Sequence, residues 1–409
     1  MIYQQYTFKN GIRVVHRQTN SLVSHCGVII NAGSRDENEN EQGIAHFIEH
    51  TIFKGTRRRK SYQILSHMEN VGGEINAFTT KEETCIYASF LNQFLERAVD
   101  IISDIVFNST FPEKEIEKEK EVVIDEINSY KDNPAEEIFD EFEKQLFSGH
   151  PIGNYILGES GCIKKFRKKD IIGFIKRCYN TDEIVICSVG NIEFAELIKI
   201  LEKYFISLRI NKRILPRKKF KKYKAFNKTI SKATHQSHCI IGNTGYNAKD
   251  NRLTPLIMLN NILGGPGMNS KLSMNIREKY GYCYNIESYY TPFSDTGIFG
   301  IYFGTEQENI EKTTSLVYKE LDKLRNTKLG ILQLHRAKLQ LIGQIAISYE
   351  NNLNEMLSMG KSFLVFNKVD SIAEINQKIN SVTAAQLMDT ANEIFDPRQL
   401  STLIFKSDK

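Results

Sequence analysis

The sequence predicts an α+β chain built from two related halves. Three observations carry that prediction: short β-like runs alternate with longer amphipathic stretches, one basic and nearly aperiodic segment interrupts them near the middle, and the opening pattern faintly returns after it.

In chain order, residues 12–16 and 24–31 (SHCGVIIN) read as strands, and 41–53 and 61–71 as helices. Residues 83–90 (ETCIYASF) form the next strand, followed by helical stretches near 92–108 and 113–130. Residues 184–190 (IVICSVG) are apolar enough for a strand buried on both faces. Periodicity then lapses over 207–225, where eight Lys/Arg lie between Lys212 and Lys224 around Pro216. Such a run reads as a solvated connector, which divides the chain into a domain 1–210, a basic linker 211–225 and a domain 226–409. Beyond it, Ser237-His238-Cys239 opens a strand ending in Asn243-Thr244-Gly245, as Ser24-His25-Cys26 opens one ending in Asn31-Ala32-Gly33. Each is followed by a polar loop and a helical stretch, but the helix near 254–263 lacks the histidines that the first half carries.

Composition narrows the function classes. The 409 residues hold 54 Lys+Arg against 49 Asp+Glu, a net charge of +5 that does not indicate a nucleic-acid partner. No apolar run nears the roughly 20 residues of a membrane span, so no membrane partner is expected. The first residues lack the apolar core of a secretory signal, and the seven scattered cysteines never form a CxxC. Reduced thiols in a cytoplasmic protein are the expectation.

The chemistry concentrates in Gly43-Ile44-Ala45-His46-Phe47-Ile48-Glu49-His50-Thr51. On a helix His46 and His50, four residues apart, project from one face one turn apart and can clamp a single metal ion. Glu49 sits beside that pair, where a carboxylate can take a proton from metal-activated water. This is the inverted zincin order, His-x-x-Glu-His. A hydrolytic zinc site also needs a third protein ligand. The helix 113–130 offers carboxylates: Glu126 flanks an apolar stripe of Ile116, Val123, Ile124 and Ile127, and Glu119 lies two turns earlier on nearly the same face. In so acid-rich a helix a glutamate is ordinarily a solvated charge, so spacing alone does not select a ligand.

These segments together resemble a known family. GIAHFIEHTIFKGT, then GGEINAFTTKEETCIYASF, then Glu126 in VVIDEINSYKDNP are similar to the pitrilysin/insulinase family of zinc peptidases, and among them to short bacterial members related to the mitochondrial processing peptidase β subunit. The resemblance implies one Zn2+ per chain held by His46, His50 and Glu126, with Glu49 as general base; Glu119, from its place two turns before Glu126 on the same helix, is expected to be an auxiliary carboxylate. The resemblance also implies two α/β-sandwich-like halves, each an antiparallel-rich sheet with helices packed on it, closing as a clamshell on an extended peptide. In NILGGPGMNSKLSMNIREKYGYCYNIESYY, Arg277 and Tyr284 match an Arg and a Tyr with which the family's zinc-free half reaches the substrate. Both are donors suited to a peptide carbonyl or a developing oxyanion. Pro266 departs from the family's usual glycine run without touching a catalytic group. The strand near Gly72-Gly73-Glu74-Ile75-Asn76-Ala77-Phe78 corresponds to the family's substrate-pairing edge, which makes Asn76 and Ala77 the expected contacts. A homodimer is expected too, since short members of the family pair chains.

Competing signals are weak. Gly360-Lys361-Ser362 ends like a P-loop, but Glu355 stands where its first glycine belongs. Gly158-Glu159-Ser160-Gly161-Cys162 fails the nucleophile elbow at its last position. The basic cluster Arg57-Arg58-Arg59-Lys60 reads as solvated. The rival function class is a non-catalytic or processing-type partner subunit on the same fold, which the intact motif argues against.

Overall fold

The computed structural model describes residues 2–221 and 223–408; Lys222 of the expected linker and the two terminal residues of the expected domains lie outside the described residues. Half of the chain is helical, and the strands form two mixed sheets. The first sheet contains β1 (Gln4–Thr7), β2 (Arg13–Gln18), β3 (Val23–Ile30), β4 (Glu74–Thr79), β5 (Thr84–Leu91) and β6 (Ile184–Gly190), in the order β1-β2-β6-β3-β5-β4. The second contains β7 (Asn227–Lys232), β8 (Ser237–Gly245), β9 (Cys283–Pro292), β10 (Gly297–Thr305) and β11 (Ser401–Ser407), in the order β7-β11-β8-β10-β9.

The faint repeat in the sequence is a full repeat of topology. Strands β2 to β6 correspond one for one to β7 to β11: β2 runs parallel to β6 as β7 does to β11, and every other neighbour is antiparallel. The edge strands β4 and β9 are counterparts.

Each sheet is apolar on both faces because its central strands alternate between two cores. In β6, Ile184 and Ile186 enter one hydrophobic cluster, while Val185, Cys187 and Val189 enter another. The first cluster lies under α1 (Ile44–Thr51), α2 (Ser61–Glu69) and α3 (Leu95–Phe107), and takes in Ile116, Val123 and Ile127 of α4 (Glu113–Lys131).

The second face of each sheet is covered from the other half of the sequence. One compact unit comprises Met1–Asn128, Asn154–Lys218 and Ile347–Ser371; the other comprises Ser129–Gly153, Lys219–Ala346 and Ile372–Lys409. The helix Asn352–Phe366, which lies between β10 and β11 in sequence, packs Met356, Met359 and Phe363 on β3 and β6. Reciprocally α5 (Pro134–Leu146), between β5 and β6 in sequence, packs Ile138, Phe142 and Leu146 against Ile240, Leu403 and Phe405 of the second sheet. The contiguous domains 1–210 and 226–409 expected from the sequence did not include this exchange.

Glu355 anchors the exchanged helix. Its carboxylate is fully buried, lies 2.5 Å from Arg17 Nη1 and accepts from the Tyr3 hydroxyl at 3.2 Å. Gly360 brings the same helix against β3 and β6, since a Cβ there would lie 2.5 Å from Ile29 Cδ1 and 2.8 Å from Cys187 Sγ. The P-loop-like glycine is thus a close helix-to-sheet contact, and Lys361 Nζ binds Glu83 Oε1 at 2.9 Å.

The solvated-charge expectations hold for most residues of the two basic runs, with Arg57, Arg58, Lys60, Lys212, Lys218, Lys219, Lys221 and Lys224 exposed, and need correction at Arg59, Arg213 and Arg217. In the basic segment Arg213 and Arg217 both pair with Asp36, and Arg217 also donates to the backbone carbonyls of Asn31 and Glu82. A burial-tolerant guanidinium with a fixed fork suits that role. Further on, Phe220 packs on Phe147 and its N–H donates to Asp295 at 2.8 Å, within the second unit. In the cluster after the motif, Arg58 and Arg59 both pair with Asp100 and Asp104 of α3.

Candidate metal centre

The motif helix α1 begins at Gly43, whose φ of 94° is left-handed. Its first turn leaves N–H groups without helical partners. Glu37 takes two of them, accepting from Gly43 N and Ala45 N at 2.9 Å each. Burial pushes the Glu37 carboxyl well above its ordinary pKa, and these two N–H donors oppose the shift. Ile44, Ala45, Phe47 and Ile48 are wholly buried, so the helix keeps its polar face for His46, Glu49 and His50.

That face meets α4. The two imidazole rings lie 4.6 Å apart, edge to face. His46 Nε2 is 3.8 Å from Glu126 Oε1, and His50 Nε2 is 3.4 Å from Glu126 Oε2. Tetrahedral zinc with bonds of about 2.0–2.1 Å sets neighbouring ligand atoms about 3.3 Å apart, so the donor set fits such an ion. Ligand atoms of the three residues lie within 4.8 Å of one another, in the only such group among the described residues.

Electrostatics favour ligation at His46. Burial, reinforced by the neighbouring His50, lowers the His46 pKa to about 4, which keeps its lone pair available at neutral pH. Burial also pulls His50 down, but the Glu119 hydrogen bond and the charges of Glu126, Glu119 and Glu49 outweigh it and leave a net rise. Glu119 is buried, with Oε1 3.0 Å from His50 Nδ1 and Oε2 2.7 Å from Lys54 Nζ. Although burial opposes it, these two partners hold the Glu119 carboxyl below its ordinary range.

Glu49 stands outside the ligand group. Its Oε2 is buried without a hydrogen-bond partner, and burial raises its pKa while Thr79 and His50 pull it back. Thr79 closes β4, so the free edge of the first sheet ends against the metal helix. On that edge Asn76 is exposed, while Ala77 packs partly on the core. The expected edge strand is therefore present, with β5 as its sheet neighbour.

Arg277 and Tyr284 belong to the second unit. Arg277 is the penultimate residue of a π-helical turn, Ser273–Glu278, and its Nε donates to Glu278 Oε1 at 2.9 Å. Tyr284 is 90% exposed on β9, so it is not spent on that unit's core.

Sequence reasoning missed Glu37 and Lys54. Lys54 follows His50 by four residues, a spacing that places it over the same helical face and could have singled it out. Glu37 had only its position ahead of a glycine-started helix to betray it.

Comparisons with known proteins follow the same line. Residues 13–160 match the family model described as insulinase (peptidase family M16), and residues 165–341 match that of the peptidase M16 inactive domain. The uncharacterized zinc protease YmxG of Bacillus subtilis is 33% identical over 405 residues, spanning 99% of this chain and 98% of its own. An uncharacterized zinc protease of Rickettsia felis is 34% identical over 415 residues, spanning 98% and 97%. The crystal structure of a protease from Helicobacter pylori shares the fold with a TM-score of 0.91 at 22% identity, over 99% of each chain. A peptidase M16 inactive domain from Pseudomonas fluorescens does so at 0.93 and 20%, over 100% of this chain and 99% of that one.

Proposed function

Because the chain belongs to the insulinase family of peptidases, family M16, we propose that it is a zinc-dependent endopeptidase acting on extended or unfolded peptides. The observation that carries this reading is the convergence of His46, His50 and Glu126 on one point beside Glu49, a carboxylate that the ligand set leaves free. Zinc held there would polarise the scissile carbonyl and lower the pKa of a bound water to about 7. Glu49 takes the proton of the attacking water at its carboxylate and returns it to the leaving amine. Its burial makes it a stronger base than a solvated glutamate. Peptide backbone adds to the free edge of β4 beside Asn76 and Ala77, which favours unfolded substrates over particular side chains. Non-catalytic partnering is the weaker reading, since all four motif residues are intact.

Purified protein is expected to carry about one zinc per chain and to cleave quenched peptides in a chelator-sensitive manner, restored by added zinc. Protein without stoichiometric zinc, or cleavage indifferent to chelator, would overturn the reading.

Arg277 and Tyr284 enter the same proposal as donors to the substrate carbonyl. Removing one donor to developing charge typically lowers kcat by about 10²-fold or more. Tyr284→Phe is expected to lower kcat/KM on that scale with an unchanged Tm, because the side chain is exposed. Wild-type kinetics in this variant would remove Tyr284 from the site.

A further inference from the structure

Lys54 closes the short turn Ile52–Lys54 that continues the motif helix. Its ammonium lies 2.7 Å from Glu119 Oε2, while Glu119 Oε1 lies 3.0 Å from His50 Nδ1. The Glu119 side chain is 6% exposed, so the carboxylate sits in poor solvent with one donor on each oxygen. Two opposed contacts stop it from rotating, and the ammonium compensates a buried negative charge that a neutral imidazole would leave largely uncompensated. With Glu119 held as an acceptor, His50 donates from Nδ1, which leaves Nε2, the nitrogen 3.4 Å from Glu126 Oε2, as the one directed at the metal position.

The two histidines are not equally supported. His46 Nδ1 is buried and without a hydrogen-bond partner, so packing alone orients that ring. Hydrogen-bond orientation of the pair therefore rests on the line Lys54, Glu119, His50.

We propose that Lys54 is a positioning residue of the metal centre, acting through Glu119 to fix the tautomer and direction of His50. The proposal rests on the zinc reading above. It predicts a loss of metal affinity when the charge is removed, separable from any contact Lys54 makes with substrate.

The test is zinc affinity of the full chain, measured by competition with a chelator of known strength. Removing such an outer partner ordinarily weakens metal affinity by about 10–100-fold, and Lys54→Met, which keeps the apolar stem, should fall in that range. Lys54→Arg should recover most of the loss. In a Glu119→Gln background, Lys54→Met should add less than about twofold, since the path it acts through is gone. Apo-protein melting curves for all variants report whether the fold is intact. Wild-type affinity in Lys54→Met, or full additivity with Glu119→Gln, overturns the assignment while leaving the zinc reading standing. A wild type that takes up no zinc overturns both.

Discussion

Replacing Glu49 with Gln is expected to abolish peptide cleavage while zinc stays bound. Gln is nearly isosteric, so α1 and the three-residue ligand group should be undisturbed; what disappears is an oxygen able to accept a proton. Positioned general bases contribute typically 10²–10⁴-fold, and kcat should fall by about that factor. KM should change little, because Glu49 holds no part of the peptide until the proton moves. The check is paired: metal content and single-substrate kinetics on the same preparation. A variant that cleaves at the wild-type rate removes Glu49 as the base, whatever its zinc content.

The largest stability effect is expected at Gly43. Its φ of 94° is left-handed, and a Cβ would lie 2.7 Å from Leu157 O and 2.8 Å from Gly158 Cα, both backbone atoms. Left-handed strain costs about 1–2 kcal/mol for a side-chain-bearing residue, and backbone cannot move aside as a flexible side chain can. Gly43→Ala should therefore lose about 3 kcal/mol or more, a Tm shift on the order of 10 °C for a unit of this size. Zinc affinity should drop with it, since the same residue starts the helix bearing His46 and His50. Gly72→Ala is the matched control. Its φ is also positive, at 71°, but nothing lies within 4 Å of its Cβ position, so only the strain remains. Equal melting temperatures for the two variants would show that the Gly43–Gly158 approach contributes nothing.

Local features were legible in proportion to how local their causes are. Ile184–Gly190 matches the expected strand at both ends because every residue is buried and all but Ser188 are apolar. Helix 41–53 was placed correctly but begins later, at Ile44, because the left-handed Gly43 cannot start it sooner. The metal residues were readable because two of them share one helix; Glu126 became a candidate through the family resemblance, since in sequence it is one glutamate among many. The charge clusters are solvated at most positions, as expected, and misled only at Arg59, Arg213 and Arg217, whose partners are distant. Arg58 and Arg59 meet Asp100 and Asp104, and Arg213 and Arg217 meet Asp36, pairings that no local pattern announces. The exchange of covering helices was illegible for the same reason. Each of those helices looks like any amphipathic segment, and its destination is decided by which sheet has a bare apolar face.

That exchange gives the molecule the logic of a handshake. A fragment ending at the connector would fold its sheet with Val15, Ile29, Val185 and Val189 bare, because Met356, Met359 and Phe363 are encoded beyond the cut. The complementary fragment would lack Phe142 and Leu146 over Leu403 and Phe405. Neither fragment can seal itself, whereas a chain nicked within 211–225 still holds both covers in place.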